Sequence, residues 1–191
     1  MENKSKQLAI VLAVTAIIVS VLVAVKFSAK QQQMGSLAPT PAGTQNKAQD
    51  KATMMLEEGQ AVSLKLQAKG LKINAMAVRL VLNYTGSLDF KFKDEDSKKE
   101  GVQVKTSANL LGKGWVYPIN KITIDDKNKT AVLELAVVNL DPAGYVGQNE
   151  DLLATIEYTS AKGEVPSFKF DPAQTKLIAK SGEEISLDLL E

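Results

Sequence analysis

Val62-Ser63-Leu64-Lys65-Leu66-Gln67-Ala68-Lys69 puts an apolar residue at every even position and a polar one at every odd position. Successive side chains of a strand turn to opposite faces, so this stretch reads as a strand with one face buried and the other in water. The same period runs through Met76, Val78, Leu80, Leu82 and Tyr84, which alternate with Ala77, Arg79, Val81 and Asn83. A helical period of 3.6 is missing from both.

Working outward, further strand-like segments follow at Leu88 to Phe92, at Val102 and Val104, from Trp115 to Ile119, and at Ile122 and Ile124. The Asp125 to Lys129 turn leads to Ala131 to Val138, which is expected to pair with the segment before it. Leu152 to Thr159, Val165 to Phe170, Leu177 to Ala179 and Ile185 to Leu189 complete the set, separated by turn residues such as Asp171-Pro172 and Ser181-Gly182. Turns recurring every 8 to 12 residues or so predict a β-sandwich. No gap holds the crossover helix that a parallel sheet needs, so the sheets should be mostly antiparallel.

Toward the N-terminus the chemistry changes. Leu8 to Val25 is an uncharged run of eighteen residues broken only by Thr15 and Ser20. As a helix rising about 1.5 Å per residue, with Phe27 just beyond, it approaches the roughly 30 Å hydrocarbon thickness of a bilayer. A cleaved signal peptide would have a shorter apolar core and small residues before its cut. Here Phe27 occupies the minus three position for cleavage after Ala29, and Leu22 does so for cleavage after Ala24. The expected organisation is a cytoplasmic head at 1–7, a membrane anchor in contact with lipid at 8–27, a flexible linker at 28–52 and a β domain at 53–191. Lys4 and Lys6 before the span balance Lys26 and Lys30 after it, so orientation rests on length, long domains being translocated largely regardless of charge. The linker is rich in Gln, Ala, Thr, Pro and Gly; as a coil it holds the domain about 25 to 30 Å from the bilayer.

The β domain, about 140 residues, is long enough to bury close to two thirds of its unfolded surface. It does so without cysteine, so neither disulfides nor thiolate metal sites contribute. Setting aside the four anchor-flanking lysines and Glu2 leaves 19 basic against 21 acidic residues. That balance carries no electrostatic footprint for nucleic acid, and Arg79 is the only side chain able to form a forked contact with phosphate. Histidine is absent, which removes Ser-His-Asp, Cys-His and nearly all zinc arrangements. No cofactor is expected. Glu134 and Glu157 each sit in an apolar strand; they are either outward-facing carboxylates or, as a pair, acids of raised pKa.

The order of these segments resembles the cohesin domain, a nine-stranded jelly-roll sandwich related in fold to certain carbohydrate-binding modules. The resemblance spans residues 53 to 189. It lies in Gly59 followed by Val62-Ser63-Leu64-Lys65-Leu66, in Ala77 to Tyr84 leading to Ser87-Leu88, in Leu152-Leu153-Ala154-Thr155-Ile156-Glu157-Tyr158, and in the closing Ala173 to Ile185. The chain departs from the family at Tyr84-Thr85-Gly86, where members usually have Tyr-Asp-Pro. The resemblance implies an antiparallel jelly-roll sandwich of about nine strands, and binding without catalysis. Cohesins grip a dockerin on one sheet face, attaching polysaccharide-degrading enzymes to a scaffold or cell surface. No dockerin is visible here, since neither Asp94-Glu95-Asp96 nor Asp125-Asp126-Lys127-Asn128 alternates acidic ligands around a glycine.

Two features bear on recognition. Trp115 and Tyr117 lie two apart and share a strand face, so they either stack on a sugar ring or cover the core. Ala131 to Val138 is apolar on both faces apart from Glu134, and Ala77 and Val81 leave another outward face plain. A central strand covered on both sides accounts for such a run; so does a flat interaction surface. The readings that result are a membrane-anchored extracellular module binding a dockerin-like protein, a carbohydrate-binding surface module, and a pilus, secretion-apparatus or adhesin subunit. Protease added to intact cells is expected to cut beyond residue 30; full protection there would place the domain on the other side.

Overall fold

The computed structural model describes residues 51–191; the expected anchor at 8–27, the expected head and nearly all of the expected linker lie outside the described residues. The elements are β1 (Lys51–Glu57), β2 (Ala61–Gln67), β3 (Lys72–Asn83), β4 (Phe90–Phe92), β5 (Lys105–Thr106), a four-residue helix α1 (Ala108–Leu111), β6 (Trp115–Asp125), β7 (Thr130–Asn139), β8 (Tyr145–Val146), β9 (Asp151–Ser160), β10 (Lys169–Phe170), β11 (Lys176–Ala179) and β12 (Glu184–Leu190). The domain is thus all-β, with more and shorter strands than the alternation alone gave.

The strands follow the path β4-β9-β2-β1-β12-β11-β3-β7-β6, with β5 on β9 and both β8 and β10 on β3. Every pairing is antiparallel except β1 with β12, which run parallel from Lys51 beside Ser186 to Met55 beside Leu190. Strand β12 spans the fold's corner: Glu184 and Ile185 pair with β11, and the residues after them pair with β1. The sheet curls there, and its two halves share one core. Met54, Leu64, Leu66 and Leu153 come from one half and Ile73, Leu80, Leu133 and Leu135 from the other, all nearly inaccessible. The even positions of β2 point inward as expected. Strand β1 begins two residues earlier than the expected domain start, because Ala52 is already core and Lys51 reaches Asp188 at 2.8 Å.

Strands β6 and β7 form the expected hairpin across the Asp125 to Lys129 turn, where Asp125 accepts the backbone N–H of Lys127 and of Asn128 at 3.0 Å. Hydrogen bonds from Asn128 hold the Asp125 carboxyl below the usual carboxylate range. The other acidic cluster is also a turn, with Asp94 accepting the N–H of Asp96 and of Gln103. Strand β6 lies at the end of the path and its free edge is blunted. Val102 bridges to Ile122, the Asn120 amide clamps both backbone groups of Val104, and the ladder shifts register around Pro118.

The chain enters at one pole of the sandwich, formed by Lys51 and the loops at 68–71, 112–114, 140–149 and 180–183. Those loops are tied together by backbone bonds: Gly70 N–H to Gly147, Gly147 N–H to Leu71, Leu140 N–H to Gly114 and Lys180 N–H to Lys72. The opposite pole carries residues 58–60, 84–86 and 126–129 and the C-terminal Glu191. At the first pole Gly147 lies against Ala68 so closely that a Cβ would stand 2.2 Å from the Ala68 carbonyl oxygen. Backbone must move to admit one. Gly147→Ala should cost about 3 kcal/mol in chemical denaturation; an unchanged midpoint would mean that this contact does not exist.

Candidate functional site

Strands β11, β3, β7 and β6 lie side by side, and their inward residues fill the core. Their outward residues form a face in rows set by the ladder register. One row carries Ile178, Ala75, Val138 and Val116; the next, Lys176, Ala77, Ala136 and Ile119; a later one, Lys169 of β10, Val81, Val132 and Thr123. Between the second and the last of these runs Arg79, Glu134 and Lys121. The apolar members are Ala or β-branched residues, so the surface is low and even. Val116 and Ile119 are each 37% exposed and Ala77 is exposed too, while Val81, Val132, Ala136 and Val138 are half-buried. Among the described residues no second layer covers this face. The double apolarity of β7 therefore has a different cause from the two-sided burial of a central strand.

Arg79 is the middle of the face. It sits opposite Glu134, whose carboxylate is 3.7 Å from its guanidinium; Asp171 approaches Nε at 3.7 Å and Gln174 accepts from Nη1 at 3.1 Å. The loop that supplies these last two is pinned by the Asp171 N–H bonding to the Arg79 carbonyl and by the Thr175 hydroxyl beside the Arg79 backbone. Arg79 Nε is buried and has no hydrogen-bond partner among the described residues. A fixed guanidinium, ringed by two carboxylates and set among small apolar side chains, gives the face one polar reference point.

Ala77 and Val81 thus stand on one outer face, two residues to either side of Arg79. Trp115 and Tyr117 do not join them. Both turn inward: Trp115 is 1% exposed, with its ring edge-on to Tyr145 at 5.5 Å, and the Tyr117 hydroxyl donates to the Leu153 carbonyl at 2.9 Å. Burial pushes the Tyr117 hydroxyl up to about 12. A sugar ring cannot reach a buried indole, so stacking on this pair is ruled out by their placement.

Glu134 and Glu157 belong to opposite halves of the sheet, both turned outward, so they cannot act as a pair. Hydrogen bonds from Lys93 at 2.7 Å and Lys105 at 3.2 Å hold Glu157 below the usual carboxylate range, the reverse of a general acid. Among the described residues no group of three or more His, Cys, Asp or Glu side chains is arranged to hold a metal ion. Open grooves lie toward both poles of the described residues. One of about 630 Å³ is lined by Lys113, Leu140, Tyr145 and Val146 at the pole where the chain enters, and one of about 370 Å³ by Tyr84, Asp89, Phe90 and Glu164 toward the opposite one.

Fold and face together define an all-β sandwich whose most distinctive surface is a flat, apolar, arginine-centred sheet. No protein-family model matches the chain, and no curated protein does. Among solved structures it is similar to the third cohesin ScaC in complex with the ScaB dockerin from Acetivibrio cellulolyticus, at 12% identity over 73% of this chain and 97% of that one, with a TM-score of 0.47. It is similar also to the second type II cohesin module from the cellulosomal adaptor ScaA scaffoldin of the same organism, at 12% identity over 76% and 95%, TM-score 0.43. The seventh ScaB type I cohesin from Pseudobacteroides cellulosolvens matches at 11% identity over 73% and 87%, TM-score 0.41. Likeness at this level does not carry function with it.

Trp115→Ala should remove about 3 to 5 kcal/mol of stability, as loss of a large core side chain does. A surface indole would cost little, so a melting temperature within a degree or so of the parent would contradict the buried placement.

Proposed function

We propose that this chain is a non-catalytic protein-binding module of cohesin type, held at the outer face of a cell membrane by residues 8–27. Its partner is a dockerin-like protein that lies on the β11-β3-β7-β6 face, and through it the module connects to polysaccharide degradation. The observation that carries this reading is the face itself. Ala75, Ala77, Ala136 and Val138 have little rotamer freedom to lose on association, so the contact area they offer comes at low entropic cost. The Arg79, Glu134 and Lys121 row crosses that area and gives a partner a charged register to match.

The resemblance of strand order supports the nature of the partner. The uncharged run from Leu8 to Val25 supports the anchor. The carbohydrate-binding reading had Trp115 as its main support and loses it with that residue inside the core.

Full-length chain in lipid nanodiscs, titrated with a panel of purified dockerin modules by biolayer interferometry, tests the proposal. At least one dockerin should bind. Ala77→Asp should weaken that binding about tenfold or more by placing an unpaired charge in the contact, with no change in melting temperature. Lys105→Ala, on the other half of the sheet, should leave it unchanged. Equal binding by parent and Ala77→Asp would move the site elsewhere, and a chain that ignores every dockerin yet is retained on a polysaccharide would replace this function with the carbohydrate one.

A further inference from the structure

The pole at which the chain enters differs in character from the rest of the surface. Leu140 is 65% exposed, Leu111 47% and Val146 46%, three of the most exposed large apolar residues in the described part of the chain. Leu140 and Val146 line one open groove with Lys113, whose ammonium lies 5.4 Å from the centre of the Tyr145 ring. Lys69 stands in the adjoining loop, and Lys180 packs its stem beside Gly144. None of Lys69, Lys113 and Lys180 pairs with a carboxylate of the described residues, whereas the acidic groups nearby are largely engaged. Glu150 binds Lys65, Asp151 is buried beneath the Tyr145 hydroxyl, and Asp141 caps the Ala143 N–H. Asp188 binds Lys51, and Glu183 accepts from the Ser181 hydroxyl.

We propose that this pole docks on the surface of an anionic lipid bilayer, with Leu140 and Val146 in the head-group region and Lys69, Lys113 and Lys180 on lipid phosphates. Two observations choose that occupant. Fifty residues precede Lys51, among them the apolar run Leu8 to Val25, and they join the domain at this pole. Apolar tips ringed by lysines that pair with no carboxylate of the described residues are also complementary to a negatively charged interface. The inference rests on the anchor reading and adds to it a preferred orientation, in which the outer sheet face stands sideways to the membrane.

The chain lacks cysteine, so a single one can be introduced and labelled with an environment-sensitive dye at Ala143→Cys on this pole or Lys127→Cys on the other. Full-length chain is reconstituted in vesicles of phosphatidylcholine, with and without phosphatidylglycerol. With the anionic lipid, the dye at 143 should shift to the blue and be quenched by brominated lipid, while the dye at 127 stays in water. Lys69→Ala, Lys113→Ala and Lys180→Ala combined should weaken the docked state about tenfold or more. Leu140→Ser with Val146→Ser should abolish the shift with the melting temperature unchanged. Equal responses at 143 and 127, or none at 143, would overturn the proposal. Flotation on neutral vesicles reads the anchor separately: a chain that does not float refutes anchoring, and anionic vesicles added to it still decide whether position 143 meets lipid.

Discussion

Strand β12 gives its first residues to one half of the sheet and its last to the other. Ile185 faces Leu177 across an antiparallel ladder, and from Ser186 onward the strand runs parallel to β1. That shared strand turns a flat ribbon into a closed roll, and the rest follows. With the corner closed, Met54 and Leu66 share one interior with Leu80 and Leu135, and no disulfide takes part, since the chain has no cysteine. Strands β1 and β12 also cover each other's edges, so the main path of the described sheet ends at β4 and β6.

Closure fixes what the outer faces can be. The half containing β2 and β9 places Lys93, Lys105 and Glu157 together outside, a salt-bridged surface suited to water. The half containing β3 and β7 places Ala and Val outside, with an Arg79, Glu134 and Lys121 row across the middle and Lys176 and Lys169 at the margin of the rows on either side. Two halves with the same inward chemistry thus have unlike exteriors, and this asymmetry, more than any groove, is the ground for proposing a partner on one of them.

Much of this was legible in the sequence and some was not, for physical reasons. Strand β2 reads correctly because its outer residues are polar, so parity and burial coincide. Strand β7 reads as a strand, but its apolar outer positions make covered and uncovered faces look alike. Strand β1 escapes because Met55 sits between Met54 and Leu56 and blurs the alternation. Strands β5 and β8 are two residues long, too short for any period. Parity showed that Trp115 and Tyr117 share a face without saying which; only the placement of Tyr145 and Leu153 across the core decides it. Ala77 and Val81 were visible as plain outward positions. That Arg79 between them meets Glu134, Asp171 and Gln174 depends on register and on a loop nearly a hundred residues away.

The parallel pairing of β1 with β12 joins residues 51 to 55 with residues 186 to 190. A ribosome makes β1 well over a hundred residues before its partner β12 exists, so through that interval Met54 lacks the strand that pairs with it in the folded sheet. Contacts so distant along the chain form slowly, since loop-closure entropy is lost before they contribute. Closure of this domain therefore waits on residues 186 to 190, and a sheet that stays open until they are made is one that holdase chaperones have time to meet.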